Sequence, residues 1–195
     1  GQMEQMRDVI NDIEFDYEYI DLDKCEAGAI LGDRDVAKTN LLIWLGKQYR
    51  GTRKKILYGY PKKIEGFDNI SSWKELLQVT DSIIFMDEIQ RYIKLYDRRS
   101  NTQLMEMIAM FAHNNNSLIF TTQLSQFITK GVEASLDFWC IKQIDVDSLK
   151  NGSKPKRIIR DTADVRVSEI GLSLKQNEFI FHSSRRGLCL NGVKT

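Results

Sequence analysis

The chain has 195 residues, of which 42% are hydrophobic and 28% are charged, and its formal net charge at pH 7 is +1. This length and composition predict a soluble globular protein with one sizeable α/β domain, or a core with a small addition. No apolar run approaches membrane-spanning length, the acidic, polar N-terminus does not resemble a secretory signal, and so small a net charge gives no global sign of nucleic-acid binding.

The cysteines and histidines do not indicate a metal site. Cys25, Cys140 and Cys189 show neither metal-ligand spacing nor a disulfide framework, so the sequence predicts a reducing compartment. His113 and His182 are isolated, which argues against zinc binding.

Basic residues form four local clusters. Each is ordinarily a solvated face, but four in a chain of this size leave contact with a phosphate backbone open as an alternative. The clusters are Arg50, Arg53, Lys54 and Lys55; Lys62 and Lys63; Lys154, Lys156, Arg157 and Arg160; and Arg185 and Arg186.

The first elements in chain order are a predicted amphipathic helix over residues 3–13 and a predicted strand over 15–22. The small, apolar run 27–31 is typical of a buried strand and ends at Gly32. A helix is then predicted to about Tyr49, because its apolar residues recur at roughly helical spacing. These residues are Leu41, Leu42, Trp44 and Leu45.

Between this strand and helix, the chain has the layout of a phosphate-binding P-loop, G-x4-G-K-[ST], with alanine in place of the second glycine. Backbone N–H groups of such a loop and of the helix N-terminus form a concavity for phosphate oxygens. Lys38 can reach the β- and γ-phosphates, and the Thr39 hydroxyl can bind Mg²⁺. The predicted nucleotide-binding residues are Gly32, Asp33, Arg34, Asp35, Val36, Ala37, Lys38, Thr39 and Asn40.

Ala37 is the departure from the P-loop pattern. It lies where the chain enters a right-handed helix, so we expect a negative φ, which alanine adopts without strain. Its methyl group could crowd the phosphates. Asp33 and Asp35 would repel phosphate unless they point away, and Arg34 could offset them. Taken alone, the segment also fits an ordinary strand–turn–helix with a solvated lysine.

A strand at 55–59 and a short helix capped by Ser71 and Ser72, extending to about Val79, precede a second motif. Residues 82–88, SIIFMDE, are an apolar run ending in two acids, which predicts a strand buried on both faces of a parallel sheet. Ligands bind at the carboxyl ends of such strands. Asp87 is placed to hold Mg²⁺ through water, and Glu88 to orient and deprotonate an attacking water. The alternative is that two acids merely end a strand.

A third strand end completes the pattern. After a predicted helix over 101–112, residues 117–123 form an apolar strand ending in Thr121, Thr122 and Gln123. A glutamine there can hydrogen-bond the γ-phosphate or the lytic water and so report hydrolysis. The alternative is that Thr-Thr-Gln starts a turn.

The remaining sequence predicts a strand at 138–144 and, from about Asp145, a change to short strands with tight connections. Those strands are predicted at 156–160, 165–170 and 177–182, with turns at 151–153 and 191–192. The simplest account is one α/β domain over 1–195, with a lead-in over about 1–24, a core over about 25–145 and a β-rich C-terminal extension over about 146–195.

The motifs favour ATP over GTP. A GTPase is expected to carry an [NT]-K-x-D motif, and residues 129–132, TKGV, fail at the last position. A small-molecule kinase rarely has an Asp-Glu pair at the end of its second motif strand, because water activation is undesirable there. An acid placed for water argues for an NTPase coupled to motion.

In this order, the motifs resemble those of the FtsK–HerA superfamily of ring-forming DNA translocases. They are G-x4-A-K-T, the strand ending in Asp87-Glu88, the segment DRRSN (97–101) before a helix, and the strand ending in Gln123. The short chain and the DRRS segment are most similar to viral genome-packaging ATPases. The resemblance covers roughly residues 25–145, and it implies a P-loop NTPase fold with a mostly parallel central sheet flanked by helices.

The resemblance also implies a function. ATP and Mg²⁺ would be the cofactors, and a homo-oligomeric ring would drive double-stranded DNA into a preformed capsid. A capsid or portal component would be a partner, and the site of action the host cytoplasm or the virion. Each site would be completed in trans by an arginine, for which Arg98 and Arg99 are the candidates, with Arg91 behind them.

Two alternatives remain open at this point. Ala37 and the two loop aspartates suit a nucleotide-binding assembly or regulatory module that barely hydrolyses. A cellular DNA-translocating ATPase of the same superfamily is the other alternative.

Overall fold

The structure is a computed structural model and describes residues 15–33, 36–93, 98–123, 130–143, 174–183 and 185–195. Within these residues, eight strands form one sheet: β1 (Ala27–Gly32), β2 (Lys54–Tyr58), β3 (Asp68–Ile70), β4 (Ser82–Met86), β5 (Ser117–Gln123), β6 (Phe138–Ile141), β7 (Glu178–Ser183) and β8 (Leu188–Lys194). The α-helices are α1 (Lys38–Gln48), α2 (Trp73–Leu76), α3 (Arg98–His113) and α4 (Lys130–Ala134). No helix of the described segments is long and apolar enough to cross a membrane.

The strand order is β3-β2-β4-β5-β1-β6-β7-β8. Neighbours from β3 to β6 pair in parallel, and β7 and β8 join as antiparallel strands. The predicted mostly parallel α/β sheet is therefore confirmed. Because β5 lies between β1 and β4, the ends of all three motif strands meet at the carboxyl edge of the sheet.

Helices cover both faces of the sheet, which explains why its central strands are almost uniformly apolar. Ile84, Leu118 and Trp139 belong to one buried cluster, which includes Leu104 and Phe111 of α3. Their strand neighbours point the other way because side chains alternate along a strand. Those neighbours, together with the buried face of α1, form the second cluster, which includes Ile83, Phe85, Ile119, Phe138, Leu41 and Leu45.

Several predicted elements differ from the structure. The predicted strand at 15–22 is wrong: Tyr17–Tyr19 form a 3₁₀ turn, because the Asp16 side chain accepts a hydrogen bond from the Glu18 N–H at 3.0 Å and caps it. The edge strand β3 was not predicted, since three residues carry little pattern. Strand β6 ends at Ile141 and helix α2 at Leu76, both earlier than predicted. The predicted helix at 3–13 and the strands at 156–160 and 165–170 lie outside the described residues.

The predicted turn at 191–192 is also wrong, because these residues lie inside β8. Phe179 pairs with Val193 and Phe181 with Leu190, so β8 has one extra residue across this interval. Gly192 has a φ of 63°, a conformation that glycine supplies to a β-bulge as readily as to a turn. The connection between β7 and β8 instead contains residues 185–187, where Gly187 has a φ of 61°.

A buried carboxylate attaches this connection to the rest of the sheet. Glu26, directly before β1, is fully buried. Its Oε1 accepts hydrogen bonds from Arg185 Nη1 and Arg186 Nη1 at 3.0 Å each, and its Oε2 accepts one from the Asp21 N–H at 2.7 Å. Arg185 and Arg186 therefore balance the charge of Glu26 at the amino edge of the sheet. The ends of the three motif strands lie at the opposite edge.

We expect Glu26→Gln to lower the free energy of unfolding by about 1–3 kcal/mol, because two charge-assisted hydrogen bonds to a buried oxygen lose their charge. Urea-induced unfolding measures the change. Lys24→Ala is the control: it removes an exposed ion pair with Asp21 at 3.7 Å, which should change stability by no more than about 0.5 kcal/mol. Equal stability of the two variants would contradict the assigned role of Glu26.

Candidate nucleotide site

Val36 and Lys142 pack closely against Gly32 at the end of β1. A Cβ atom added at Gly32 would lie 2.6 Å from Val36 Cγ2 and 3.0 Å from Lys142 Cβ, so no side chain fits there. The first glycine of the motif is thus required by packing. Arg34 and Asp35 lie outside the described residues, so the effect of Asp35 on phosphate, and its offset by Arg34, stay predictions.

Ala37 does not have the negative φ expected from the sequence. Its φ is 62° and its ψ is 35°, which is the left-handed region. The expectation was wrong because Ala37 is the N-cap of α1, a position outside the helical backbone. The left-handed conformation costs a residue with a Cβ roughly 1–2 kcal/mol, which explains why the usual motif has glycine here.

The Lys38 side chain reaches back to the start of the loop that precedes α1. It is buried, and Nζ donates hydrogen bonds to the carbonyl oxygens of Gly32 at 3.0 Å and Asp33 at 2.6 Å. The ammonium group therefore lies against the loop backbone, where incoming phosphate oxygens can replace the carbonyls.

The second motif meets the first at a carboxylate. Thr39 Oγ1 donates to Asp87 Oδ2 at 2.8 Å, which brings together the two residues predicted to hold Mg²⁺. Hydroxyl and carboxylate oxygens are the hard ligands that this ion prefers. The residues present thus fit a magnesium ion.

Thr121 is a site residue to which the sequence analysis assigned no role. Its Oγ1 donates to Asp87 Oδ1 at 2.7 Å and accepts from the Glu88 N–H at 2.7 Å. The register that pairs Met86 of β4 with Phe120 of β5 places Asp87 next to Thr121. Since register is a property of the folded sheet, only the polar character of the strand end could have suggested this contact.

Glu88 is held in an unusual backbone conformation. Its φ is 52° and its ψ is 67°, and it caps the 3₁₀ turn Ile89–Arg91. Its side chain forms an ion pair with Arg91 of the same chain, whose side chain is 60% exposed. Arg91, the third candidate for a trans arginine, therefore has an intramolecular partner.

Two ionisable groups lie close to the site residues: Tyr92 is near Asp87 and Glu88, and Lys142 is near Gly32. Burial raises the pKa of the Tyr92 phenol, which lies against the ring of Tyr58 with ring centroids 4.9 Å apart. Burial lowers the pKa of Lys142 to about 8. The Lys142 N–H donates to Leu31 O at 2.8 Å, and its Nζ donates to two carbonyl oxygens at the start of β7, so Lys142 ties the end of β1 to β7.

These elements surround an open cleft of about 410 Å³. The residues lining it are Val36, Ala37, Lys38, Thr39, Asn40, Glu88 and Gln123. Gln123 pairs with Gly32 in the sheet, which places the third motif beside the first. Arg98 and Arg99 begin α3, where the structure describes their backbone only. The cleft combines a loop for phosphates, oxygen ligands for a divalent ion and a carboxylate that can take a proton from water.

No protein-family model and no curated protein matches this chain. Solved structures do match it. The DNA-packaging ATPase B204 from Sulfolobus turreted icosahedral virus superposes with a TM-score of 0.64 at 13% identity, over 89% of this chain and 99% of that chain. B204 from Sulfolobus turreted icosahedral virus 2, in complex with ATP-γS, gives 0.62 at 13% identity, over 87% and 98%. The pCW3 conjugation coupling protein TcpA gives 0.52 at 13% identity, over 90% and 62%. The chain thus shares the α/β fold of these solved structures.

We expect Ala37→Gly to raise the free energy of unfolding by roughly 0.5–1 kcal/mol, because relief of the left-handed strain outweighs the greater freedom of glycine in the unfolded chain. Ala109→Gly, at an exposed position inside α3, is the matched control and should lower it by about 1 kcal/mol. Urea unfolding measures both changes. If the two substitutions destabilise equally, Ala37 does not have a positive φ in the folded protein.

Proposed function

We propose that this chain is a genome-packaging ATPase that uses ATP hydrolysis to move double-stranded DNA into a viral capsid. The observation that carries the proposal is the convergence of Lys38, Thr39, Glu88 and Gln123 on one cleft at the carboxyl edge of the sheet. The fold shared with the DNA-packaging ATPase B204 supports the choice of reaction and of cargo.

In the proposed reaction, Lys38 exchanges its loop carbonyls for oxygens of the β- and γ-phosphates. Glu88 accepts a proton from the water that attacks the γ-phosphorus, the bond from phosphorus to the β–γ bridging oxygen breaks, and ADP and phosphate leave. Thr39, with Asp87 acting through water, would hold Mg²⁺, which would neutralise charge on the phosphate oxygens. Gln123 contacts the γ-phosphate and reports its departure.

The ion pair between Glu88 and Arg91 bears on the timing of this reaction. Glu88 can orient a water only after its carboxylate exchanges the Arg91 guanidinium for that water. Because Arg91 is largely exposed, a neighbouring subunit or bound DNA can draw it away.

We further propose that the active form is a homo-oligomeric ring acting at a capsid vertex or portal in the host cytoplasm. Arg98 or Arg99, in the first turn of α3, would then reach the γ-phosphate in an adjacent subunit. Arg91 is the weaker candidate, since it already pairs with its own Glu88.

Two other functions have specific support. A nucleotide-binding assembly or regulatory module with little hydrolysis suits the strained Ala37 and the engaged Glu88. A cellular DNA-translocating ATPase suits the likeness to the conjugation coupling protein TcpA.

We expect ATP turnover that rises when duplex DNA is added. Glu88→Gln should lower kcat by about 10²–10⁴-fold, because general-base catalysis is lost, and Lys38→Ala should abolish turnover. The rate of phosphate release measures both effects. Glu65→Gln is the control: it changes an exposed carboxylate between β2 and β3 and should leave the rate unchanged. Wild-type turnover by Lys38→Ala would refute the site. Tight ATP binding with negligible turnover, even in wild type, would favour the module.

We expect a double variant, Arg98→Ala with Arg99→Ala, to lose about 10³–10⁵-fold in kcat, as removal of a trans arginine does. Mixing it with Lys38→Ala should restore part of the activity, because Lys38→Ala subunits still supply arginines to neighbours with intact clefts. Lys38→Ala mixed with Glu88→Gln is the control, since both lesions lie in the same subunit's half of the site. A mixture no more active than the sum of its parts would contradict a trans role, and single variants identify the arginine.

A further inference from the structure

We propose that Thr121 is a positioning residue for both acids of the site, and that it couples them to Gln123. The inference rests on the proposed ATPase function and deepens it. Thr121 lies on β5 and would not contact nucleotide, because it is fully buried beneath the cleft.

One hydroxyl serves two groups here. A threonine hydroxyl has one hydrogen to donate and lone pairs that accept. Thr121 donates its hydrogen to Asp87 Oδ1 and accepts the Glu88 N–H, both at 2.7 Å. Because Thr121 is fully buried, water cannot easily replace the hydroxyl, and its removal leaves two polar groups without their partner.

For Asp87, this bond fixes the orientation of the carboxylate. Thr39 holds Oδ2 at 2.8 Å from α1, while Thr121 holds Oδ1 from β5. With one oxygen fixed from each side, the carboxylate cannot rotate. Without Thr121 it could turn about its Cβ–Cγ bond, and the oxygen that faces a magnesium-bound water would be displaced.

For Glu88, the bond holds a strained backbone. A φ of 52° is costly for a residue with a side chain, and the hydrogen bond from its N–H to Thr121 offsets part of that cost. The left-handed turn accompanies the placement of the Glu88 side chain on the cleft. Loss of the bond would free the backbone to relax and withdraw the base.

The same residue links these acids to the third motif. Thr121 and Gln123 lie on one face of β5, since side chains alternate along a strand, and they are roughly 6–7 Å apart along it. When Gln123 engages or releases a γ-phosphate, any displacement of this strand end is carried to Asp87 and Glu88 through Thr121. The γ-phosphate sensor and the two acids therefore respond as one unit.

Two neighbouring threonines provide a matched experiment. Thr122 is also fully buried, but its hydroxyl finds no hydrogen-bond partner among the described residues. Thr121→Val and Thr122→Val remove the same atom in nearly isosteric changes at adjacent positions. Thr121→Ser keeps the hydroxyl, and Thr121→Ala is a second hydroxyl-free variant in case valine impairs folding.

We expect Thr121→Val to lower kcat about 10–100-fold and to raise the Mg²⁺ concentration needed for half-maximal rate by a similar factor, as loss of an outer-shell partner does. The KM for ATP should change little, because Lys38 and the loop are untouched. Thr121→Ser should recover most of the loss, and Thr122→Val should match wild type. Rates are normalised to the folded fraction measured by circular dichroism.

If Thr121→Val and Thr122→Val show the same kcat and the same Mg²⁺ dependence, Thr121 has only a structural role and the inference is overturned. A second readout separates this result from failure of the proposed function. Binding of a non-hydrolysable ATP analogue with and without Mg²⁺ needs no turnover. If wild type binds but does not hydrolyse, the ATPase proposal fails. Thr121 is still tested, by whether its valine variant alone loses the Mg²⁺ enhancement of binding.

Discussion

Asp87 accepts a hydrogen bond on each carboxylate oxygen, from Thr39 on α1 and from Thr121 on β5. Parallel pairing brings strand ends to one edge of a sheet, but it does not fix individual side chains to within an ångström. The two hydroxyls do so here, because a half-buried carboxylate that lost either partner would be poorly solvated. The start of α1, Glu88 and the end of β5 are thereby held next to this one group.

Backbone strain is unevenly distributed in the molecule. Within the described residues, four non-glycine residues have positive φ: Ala37, Asp81, Glu88 and Asn115. Asp81 and Asn115 are of types that tolerate this region, and their side chains hydrogen-bond each other at 2.5 Å. Alanine and glutamate have no such tolerance, and these two border the cleft. Strain in residues unsuited to it thus coincides with the candidate site.

The sequence allowed the fold class and the positions of the three motif ends to be predicted, because long apolar runs ending in polar residues depend only on local pattern. Features set by register or by backbone geometry could not be predicted. The hydrogen bonds of Thr121 depend on the pairing of β4 with β5, and the positive φ of Ala37 accompanies its place at the N-cap of α1. The turn predicted at Asn191-Gly192 was wrong because a glycine with positive φ is found in a β-bulge as well as in a turn. The assigned roles of the site residues stay predictions.

The buried Glu26 has a consequence for the order of folding. Its partners Arg185 and Arg186 follow it by 159 and 160 positions, so this contact closes a long loop and is entropically expensive to form early. During synthesis, Glu26 leaves the ribosome long before the two arginines that neutralise its charge. This contact therefore forms only after residues 185 and 186 have been synthesised, and a shorter nascent chain leaves the Glu26 carboxylate without these two partners.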